Sequence, residues 1–447
     1  MPDLDAVVKA YDVRGTVPDQ LDESLARAFG VAFAQYTKAT SVVVAHDMRP
    51  SGPSLVAAFE DGVTACGATV VNLGLASTDL LYYASGNMDV PGAMFTASHN
   101  PAQYNGIKMC KAGAKSIGID SGLAEVRELA RAALGTNIVG DPSMVSKRNL
   151  LAEFADHVLS FVDVASLRPL KVVADTANGM GGLVVPAVFE RLNMIDLEVM
   201  YGELDGTFPN HPADPIQPAN QRDLQARVLA GGFDVGLAFD GDADRVFLVD
   251  ELGRTMSGST TTAILAKVFL RRKPGSTILY NLISSRSVRE VIAENGGTGV
   301  RTQNGHSYMK GIMADTGAVF AGEHSGHYYF ADNYRADSGL IAALVVLEEM
   351  SRTGLPLSKL REPVERYANS GEINTQVKDI DAVIARVAEK YSQYSQDRLD
   401  GLTVDCGDWW FNVRASNTEP LLRLNLEATT RDQCETQVAE LLQLITA

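Results

Sequence analysis

A chain of 447 residues is too long for a single hydrophobic core, and its length points to three or more domains. Its 46% apolar and 21% charged residues are ordinary for a globular protein and exclude disorder. The net charge of −16 excludes a nucleic-acid-binding surface, which needs a basic patch, so any anion site must be a local basic pocket in a repelling field.

The start, Met1-Pro2-Asp3-Leu4-Asp5, is acidic and has no apolar segment, so no signal peptide is expected. The longest apolar runs, such as Leu340 to Leu347, fall far short of a bilayer span, and no membrane partner is expected. The four cysteines, Cys66, Cys110, Cys406 and Cys434, lack metal-type spacing. They are expected to be reduced packing residues of a cytoplasmic protein.

Apolar β-branched runs alternate with helical stretches. Ser41 to Ala45 predicts a strand, Pro53 to Cys66 a helix and Thr69 to Leu73 a strand; a short helix near Leu80 and a strand at Gly92 to Phe95 follow. A second round has strands at Leu170 to Asp175, Leu197 to Tyr201 and Asp234 to Phe239, with a glycine-rich turn at Asn178 to Gly182 and a helix at Leu183 to Leu192. A third runs from a strand at Thr277 to Tyr280, through a helix at Ser287 to Glu294, to a strand at Val319-Phe320. Such alternation predicts parallel-type sheets with helices on both faces, in three related α/β domains. The tail differs. Strands at Glu372 to Val377, Leu402 to Asp405, Trp409 to Arg414 and Leu421 to Glu427, with helices at Ile380 to Tyr391 and Arg431 to Ile445, predict a smaller α+β domain. Looser stretches near 140–147, 253–257 and 367–371 divide the chain into expected units 1–145, 146–254, 255–368 and 369–447.

Four polar segments interrupt this pattern. Thr96-Ala97-Ser98-His99-Asn100-Pro101 follows an apolar strand, and the proline keeps the residue before it out of the helical region. Ser98 therefore sits in a loop at a strand end, where ligands of α/β sheets bind, and can act as a nucleophile or hold a phosphate. Asp240-Gly241-Asp242-Ala243-Asp244-Arg245 lies just past another strand. Alternate residues of extended chain point to the same side, so three carboxylates converge and need a cation; oxygen ligands alone suit Mg²⁺. Glu251 falls at the twelfth position of an EF-hand, but position six is Arg245 instead of glycine and Val246 to Asp250 reads as an apolar strand, which argues against calcium.

Gly322-Glu323-His324-Ser325-Gly326-His327 lies between strand-like runs and offers a glutamate and a serine to sugar hydroxyls. Arg414-Ala415-Ser416-Asn417-Thr418-Glu419-Pro420, with Arg423 beyond, gathers a guanidinium, hydroxyls, an amide and backbone N–H groups into a turn that suits phosphate. It matches no Walker loop, and the chain has no dinucleotide fingerprint. Lesser signals are Arg14 and Arg49, Lys108 soon after Ser98, and Asn304-Gly305-His306-Ser307 at a helix start, where N–H groups attract anions.

Together these motifs resemble the α-D-phosphohexomutases, specifically the phosphomannomutase/phosphoglucomutase group, along the whole chain and in order. The phosphoserine loop is matched by Thr96 to Pro101, the metal loop by Asp240 to Arg245, the sugar loop by Gly322 to His327 and the phosphate loop by Arg414 to Pro420. The resemblance implies an α/β fold: three similar domains with mixed sheets flanked by helices plus a smaller C-terminal α+β domain, arranged around a central cleft. It implies a Mg²⁺-dependent mutase that moves phosphate between O1 and O6 of a hexose, interconverting mannose 6-phosphate and mannose 1-phosphate and the glucose pair. Hexose 1,6-bisphosphate is the implied intermediate and activator.

By the same resemblance Ser98 carries the phosphoryl group, and Asp240, Asp242, Asp244 and the phosphoserine hold the metal. Glu323 and Ser325 contact the sugar. Arg414, Ser416, Asn417 and Thr418, helped by Arg423, bind the distal phosphate. Arg245, His306 and His327 match other cleft positions, and Arg14 and Lys108 are candidates for proton handling, with the general base left open. Two positions depart from the group: Ile283 aligns where a sugar-contacting lysine is usual, and His324 where methionine is usual. Phosphoglucosamine mutase is the alternative enzyme, a phosphatase using Ser98 another, and a non-catalytic sugar-phosphate-binding protein the alternative of another class. The sequence leaves open whether the chain is a monomer or a dimer.

Overall fold

The computed structural model describes residues 3–416 and 421–446; the side chain of His306 also lies outside the described residues. Four sheets carry the chain. The first contains β1 (Val13–Thr16), β2 (Ser41–His46), β3 (Thr69–Leu75), β4 (Gly92–Phe95), β5 (Tyr104–Lys111), β6 (Lys115–Ser116) and β7 (Val145–Lys147). The second contains β8 (Leu170–Asp175), β9 (Ile195–Met200), β10 (Val235–Phe239) and β11 (Val246–Asp250). The third contains β12 (Thr277–Asn281), β13 (Thr298–Thr302), β14 (Phe320–Gly322) and β15 (Tyr328–Phe330). The fourth contains β16 (Ala368–Thr375), β17 (Ser395–Asp397), β18 (Leu402–Asp405), β19 (Trp409–Ala415) and β20 (Leu422–Ala428).

One four-strand pattern occurs in each of the first three sheets. The central strand pairs in parallel with the strand after it and with the next but one, and a last strand closes the set in antiparallel fashion. The orders are β3-β2-β4-β5, β9-β8-β10-β11 and β13-β12-β14-β15. The sheets are therefore mixed, not purely parallel as the alternation alone predicts. The connections from β4 to β5, β10 to β11 and β14 to β15 are too short for a crossover helix, and a short connection forces antiparallel pairing. The fourth sheet is fully antiparallel, with order β16-β20-β19-β18-β17.

Both faces of the inner strands are buried, which explains their near-continuous apolar sequence. Val42 and Val44 of β2 pack into one core with the helices Glu23–Thr37 and Gly52–Ala65, while Val43 and Ala45 pack into another. That second core also takes Val172, Ala174, Leu237 and Phe239 of the second sheet and Ile278, Tyr280, Phe320 and Phe330 of the third. One face of each of the three sheets thus meets a common core. The run Leu340 to Leu347 lies inside it, on the helix Gly339–Thr353. The fourth sheet has a separate core with the helices Ile380–Lys390 and Arg431–Thr446. Among the described residues no helix is long and apolar enough to cross a membrane.

Candidate active site

The segments singled out in the sequence occupy equivalent places in the fold. The Ser98 loop joins β4 to β5, the Asp240 loop joins β10 to β11, and the Glu323 loop joins β14 to β15. Each is the hairpin that closes its four-strand unit. The Arg414 segment joins β19 to β20 of the fourth sheet.

Ser98 takes φ +48° and Ala243 φ +61°, left-handed conformations that non-glycine residues rarely adopt and that cluster at functional sites. The Ser98 N–H donates to Oγ1 of Thr96 (2.8 Å). The buried Arg49 holds the rest of the loop: Nη2 donates to the carbonyls of Ser98 (2.8 Å) and Asn100 (2.6 Å), and Nη1 to those of Pro101 (2.8 Å) and Tyr104 (2.9 Å). Asp47 accepts from the Arg49 Nε (3.2 Å), so the guanidinium is fixed on both edges.

The acidic loop is a turn, closed by the Ala243 N–H donating to the Asp240 carbonyl (3.2 Å). The three carboxylates do converge, with one oxygen of each within 4.8 Å of the others. Tight reversal of the chain brings them together, whereas the sequence argument assumed extended backbone. Gly241 permits the two loops to touch, since a Cβ there would stand 2.4 Å from the Ser98 carbonyl oxygen. The Asn178-Gly182 turn braces this loop from behind, with the Met180 N–H donating to the Gly241 carbonyl (2.8 Å).

Ser98 Oγ donates to Oδ2 of Asp240 (2.7 Å), which also accepts from Nε of Arg245 (2.9 Å). Arg245 Nη2 lies 3.0 Å from the same Oγ. Lys108 Nζ donates to Oδ2 of both Asp242 and Asp244 (2.7 Å each), and Thr78 Oγ1 donates to Oδ2 of Asp242 (2.5 Å). Three buried carboxyl groups thus face two buried cations. Oδ1 of Asp242 and Oδ1 of Asp244 are buried and accept no hydrogen bond. Spare carboxylate oxygens with residual negative charge fit a hard divalent cation such as Mg²⁺.

Burial pushes the Asp240 carboxyl well up from its ordinary value, against the pull of Arg245. Burial acts on Asp242 in the same sense, but Lys108 and Thr78 outweigh it and hold that carboxyl low. Burial opposes the charge of Lys108, yet Asp242 and Asp244 hold its proton more tightly than usual. His99, beside Ser98, is kept neutral by burial and by the charges of Arg245 and Arg14.

The third loop reaches the same centre. His327 Nε2 lies 3.6 Å from Oδ1 of Asp244, and its Nδ1 lies 2.9 Å from Ser325 Oγ. Glu323 accepts from the Tyr329 hydroxyl (2.7 Å) and from the Gly305 N–H (3.3 Å), which is the N-cap of the helix His306–Thr316. Arg14 Nη1 donates to Oδ1 of Asn100 (2.6 Å), and its Nη2 pairs with Asp12.

Arg414 projects from β19, donating to Asn425 (2.8 Å) and to Oε2 of Glu372 (2.7 Å), while Arg423 Nη1 lies 3.3 Å from the other Glu372 oxygen. The Ser416 N–H donates to the Leu421 carbonyl (2.8 Å) across the base of the loop. Asn417 and Thr418, and the side chain of His306, lie outside the described residues. Ile283 and His324 line a small cavity with Trp410 and Glu427, between the third and fourth sheets. The charges of Glu372 and Arg414 reach His324, whose ring is kept neutral chiefly by burial.

The structure therefore brings Ser98, Lys108, Arg245, Asp240, Asp242, Asp244 and His327 into one cluster, with Arg14, Glu323 and Ser325 at its edge. Sequence reasoning did not find Thr78 or Tyr329 and counted Arg49 only as a minor arginine. Asp47 and Arg49 directly after β2 offered one signal, a charged pair at the carboxyl end of a buried strand.

The chain matches the phosphoglucomutase/phosphomannomutase alpha/beta/alpha domains I, II and III over residues 5–132, 152–253 and 257–367, and the C-terminal domain over 372–444. It is 39% identical over 424 residues to a protein of Xanthomonas campestris pv. campestris named phosphohexose mutases, covering 94% of each chain. It is 37% identical over 448 residues to a phosphomannomutase of Salmonella montevideo, covering 98% of each. A crystal structure of a phosphoglucomutase/phosphomannomutase family protein from Burkholderia thailandensis superposes with a TM-score of 0.87 at 30% identity, covering 100% of this chain and 98% of that one. On these matches and on the shared architecture, the chain belongs to the phosphoglucomutase/phosphomannomutase family and is a mutase enzyme.

Proposed function

We propose that this mutase interconverts mannose 6-phosphate and mannose 1-phosphate, and the corresponding glucose phosphates, through a phosphorylated Ser98 and a hexose 1,6-bisphosphate. The observation that carries the reading is the 2.7 Å contact between Ser98 Oγ and Asp240, inside a cluster with two spare carboxylate oxygens. A phosphoryl group on that oxygen would lie among Arg245, Lys108 and the aspartates, so charge on it is neutralised where transfer occurs. Asp240, Asp242 and Asp244, with a phosphoserine oxygen, would hold Mg²⁺, which supplies Lewis-acid neutralisation of the transferring group.

Ser98 gives its phosphoryl group to the free hydroxyl of the bound sugar phosphate. The bisphosphate turns end for end, and the other phosphate returns to Ser98. Lys108, clamped between two carboxylates, keeps its proton and serves as a fixed positive charge. Arg14, at the Asn100 edge of the loop, orients the phosphoryl group. Glu323, Ser325 and His327 contact the sugar, with His306 at the adjoining helix start. Arg414, Ser416, Asn417, Thr418 and Arg423 grip the phosphate that is not being transferred. That grip must serve both orientations, so it lies on a separate sheet, away from the reacting atoms.

Intact mass tests the covalent step. A fraction of the purified protein should carry one extra phosphate that Ser98→Ala lacks, and incubation with glucose 1-phosphate should transfer it. Unphosphorylated protein that turns over at full rate after treatment with excess bisphosphate, still without any mass increase, would overturn the reading. Comparing kcat/KM for mannose, glucose and glucosamine 1-phosphates tests the sugar class.

A further inference from the structure

Thr78 belongs to none of the motifs above, and it comes from a different unit from the aspartate that it touches. It is the first residue of the helix Thr78–Met88, directly after the N-cap Ser77, and both it and Asp242 are fully buried. The start of a helix has N–H groups without partners inside the helix. The Thr78 N–H donates to the Asp242 carbonyl (3.1 Å), and its Oγ1 donates to Oδ2 of the same residue (2.5 Å). Two bonds thus join a helix of the first unit to the acidic loop of the second.

The two carboxylate oxygens of Asp242 differ. Oδ2 accepts from Thr78 Oγ1 and from Lys108 Nζ (2.7 Å), whereas Oδ1 is buried and accepts no hydrogen bond. The two donors are not equivalent. Lys108 brings a point charge on a flexible stem and shares it with Asp244. Thr78 is β-branched and stiff, and its backbone is bonded to the residue that its hydroxyl holds. Thr78 therefore fixes which oxygen of Asp242 is spent and which is left over.

We propose that Thr78 is a positioning residue for the cation of the aspartate triad: it holds Asp242 as a ligand with a single oxygen to offer, and so favours Mg²⁺ over Ca²⁺. The inference rests on the Mg²⁺ reading given above and adds the side chain that sets its selectivity. Ca²⁺ takes roughly 6–8 oxygens and often draws both from one carboxylate, while Mg²⁺ takes near-ideal octahedral geometry from one or two carboxylates and other oxygens. A carboxylate pinned by one oxygen suits the smaller ion. Without the Thr78 hydroxyl, Oδ2 keeps only the Lys108 bond, and the carboxylate is free to turn both oxygens toward a larger ion.

Calorimetric titration of the full chain with Mg²⁺ and with Ca²⁺ tests this without turnover. The unsubstituted protein should bind Mg²⁺ more tightly than Ca²⁺. Thr78→Val keeps the shape and the backbone bond and removes the hydroxyl. It should weaken Mg²⁺ about 10-fold or more, the scale on which loss of a partner behind a ligand acts, and weaken Ca²⁺ less, so that the ratio of the two affinities falls. Thr78→Ser keeps the hydroxyl and should retain the ratio. A hydroxyl that only seals the two units together would move both ions by one factor. That outcome, an unchanged Mg²⁺ affinity in Thr78→Val, or a Thr78→Ser that behaves as Thr78→Val would overturn the proposal. Unsubstituted protein that binds Ca²⁺ as tightly as Mg²⁺ overturns it with no variant at all. If the unsubstituted protein takes up neither ion, the Mg²⁺ reading falls and this inference with it, whereas Mg²⁺ binding indifferent to Thr78 removes this inference alone.

Discussion

The first three sheets each bury one face in a single common core, whereas the fourth sheet packs on a core of its own. The contrast extends to the contacts that hold them. Ser98, Lys108, Asp240, Asp242 and His327 come from three sheets and meet directly, with Ser98 4% exposed and Asp240 and Asp242 fully buried. The fourth sheet meets the rest through polar pairs: Arg286 with Asp405, Asn304 with Asp400, and Arg301 with Asp397. Groups that react must be placed to a fraction of an ångström, which a shared, close-packed core provides. On the proposed mechanism the fourth sheet only grips a distal phosphate, which tolerates a looser mounting and gains from one when the same phosphate site must accept two substrate orientations.

If that division is right, substitutions in the two regions should fail differently. Ser98→Ala should lower kcat by about ten-thousand-fold or more, the scale on which removing a nucleophile acts, while substrate still binds. Retained turnover would place the reacting group elsewhere. Arg414→Ala, on the fourth sheet, should instead act mainly on KM. A hydrogen bond to a charged group contributes about 1.5–3 kcal/mol, so KM should rise about 10- to 150-fold with a much smaller change in kcat. An unchanged KM with a collapsed kcat would erase the distinction between the two regions.

The sequence reading located loops better than it located their neighbours. Gly92 to Phe95, Leu170 to Asp175 and Leu402 to Asp405 are strands with the expected bounds, because short apolar runs ended by polar or glycine residues leave little choice. β5 was read only as a segment bearing a lysine. Asn105, Gly106 and Lys108 break its apolar pattern, and they are buried because Ser51, the β1 backbone and the aspartates await them, contacts that no local window contains. The helix Glu23–Thr37 went unmarked for a related reason. Its inner residues from Leu25 to Ala34 are buried almost all round, so it shows no clear polar stripe. Arg49 illustrates the same limit at the site: its role lies in four carbonyls about fifty residues away along the chain.

The common core contains a titrating joint that sharpens the comparison from its other side. Asp79, at the start of the helix Thr78–Met88, is fully buried and accepts from Ser338 Oγ (2.7 Å), linking the first unit to the central helix. Burial pushes its carboxyl up to about 7. A carboxyl raised in the folded state binds its proton there but not in the unfolded chain between about pH 4 and 7. Its contribution to stability is therefore complete at low pH and is lost as pH rises through 7. Asp79→Asn removes this dependence. Relative to the variant, the unsubstituted protein should lose up to about 1.4 kcal/mol per pH unit across that window and nothing further above it. Parallel stability profiles would mean that Asp79 is ionised throughout.

Arg286 tests the fourth sheet's attachment most directly. Its guanidinium donates to Oδ1 of Asp405 (2.5 Å) and to the carbonyls of Gly407 and Trp409, and its backbone N–H donates to Glu427 (2.9 Å). Arg286→Ala keeps the backbone bond and removes the others. A partly exposed set of this kind contributes about 1 kcal/mol. Because the two cores do not merge, that loss should appear as faster hydrogen exchange in residues 372–445 while the amides of β4, β10 and β14 keep their protection. The same variant should raise KM modestly and leave kcat nearly unchanged, since the reacting cluster has no part in the contact. Exchange that quickens equally in all four sheets would mean that the polar seam and the shared core unfold as one cooperative unit, and that the looser mounting of the phosphate grip does not exist.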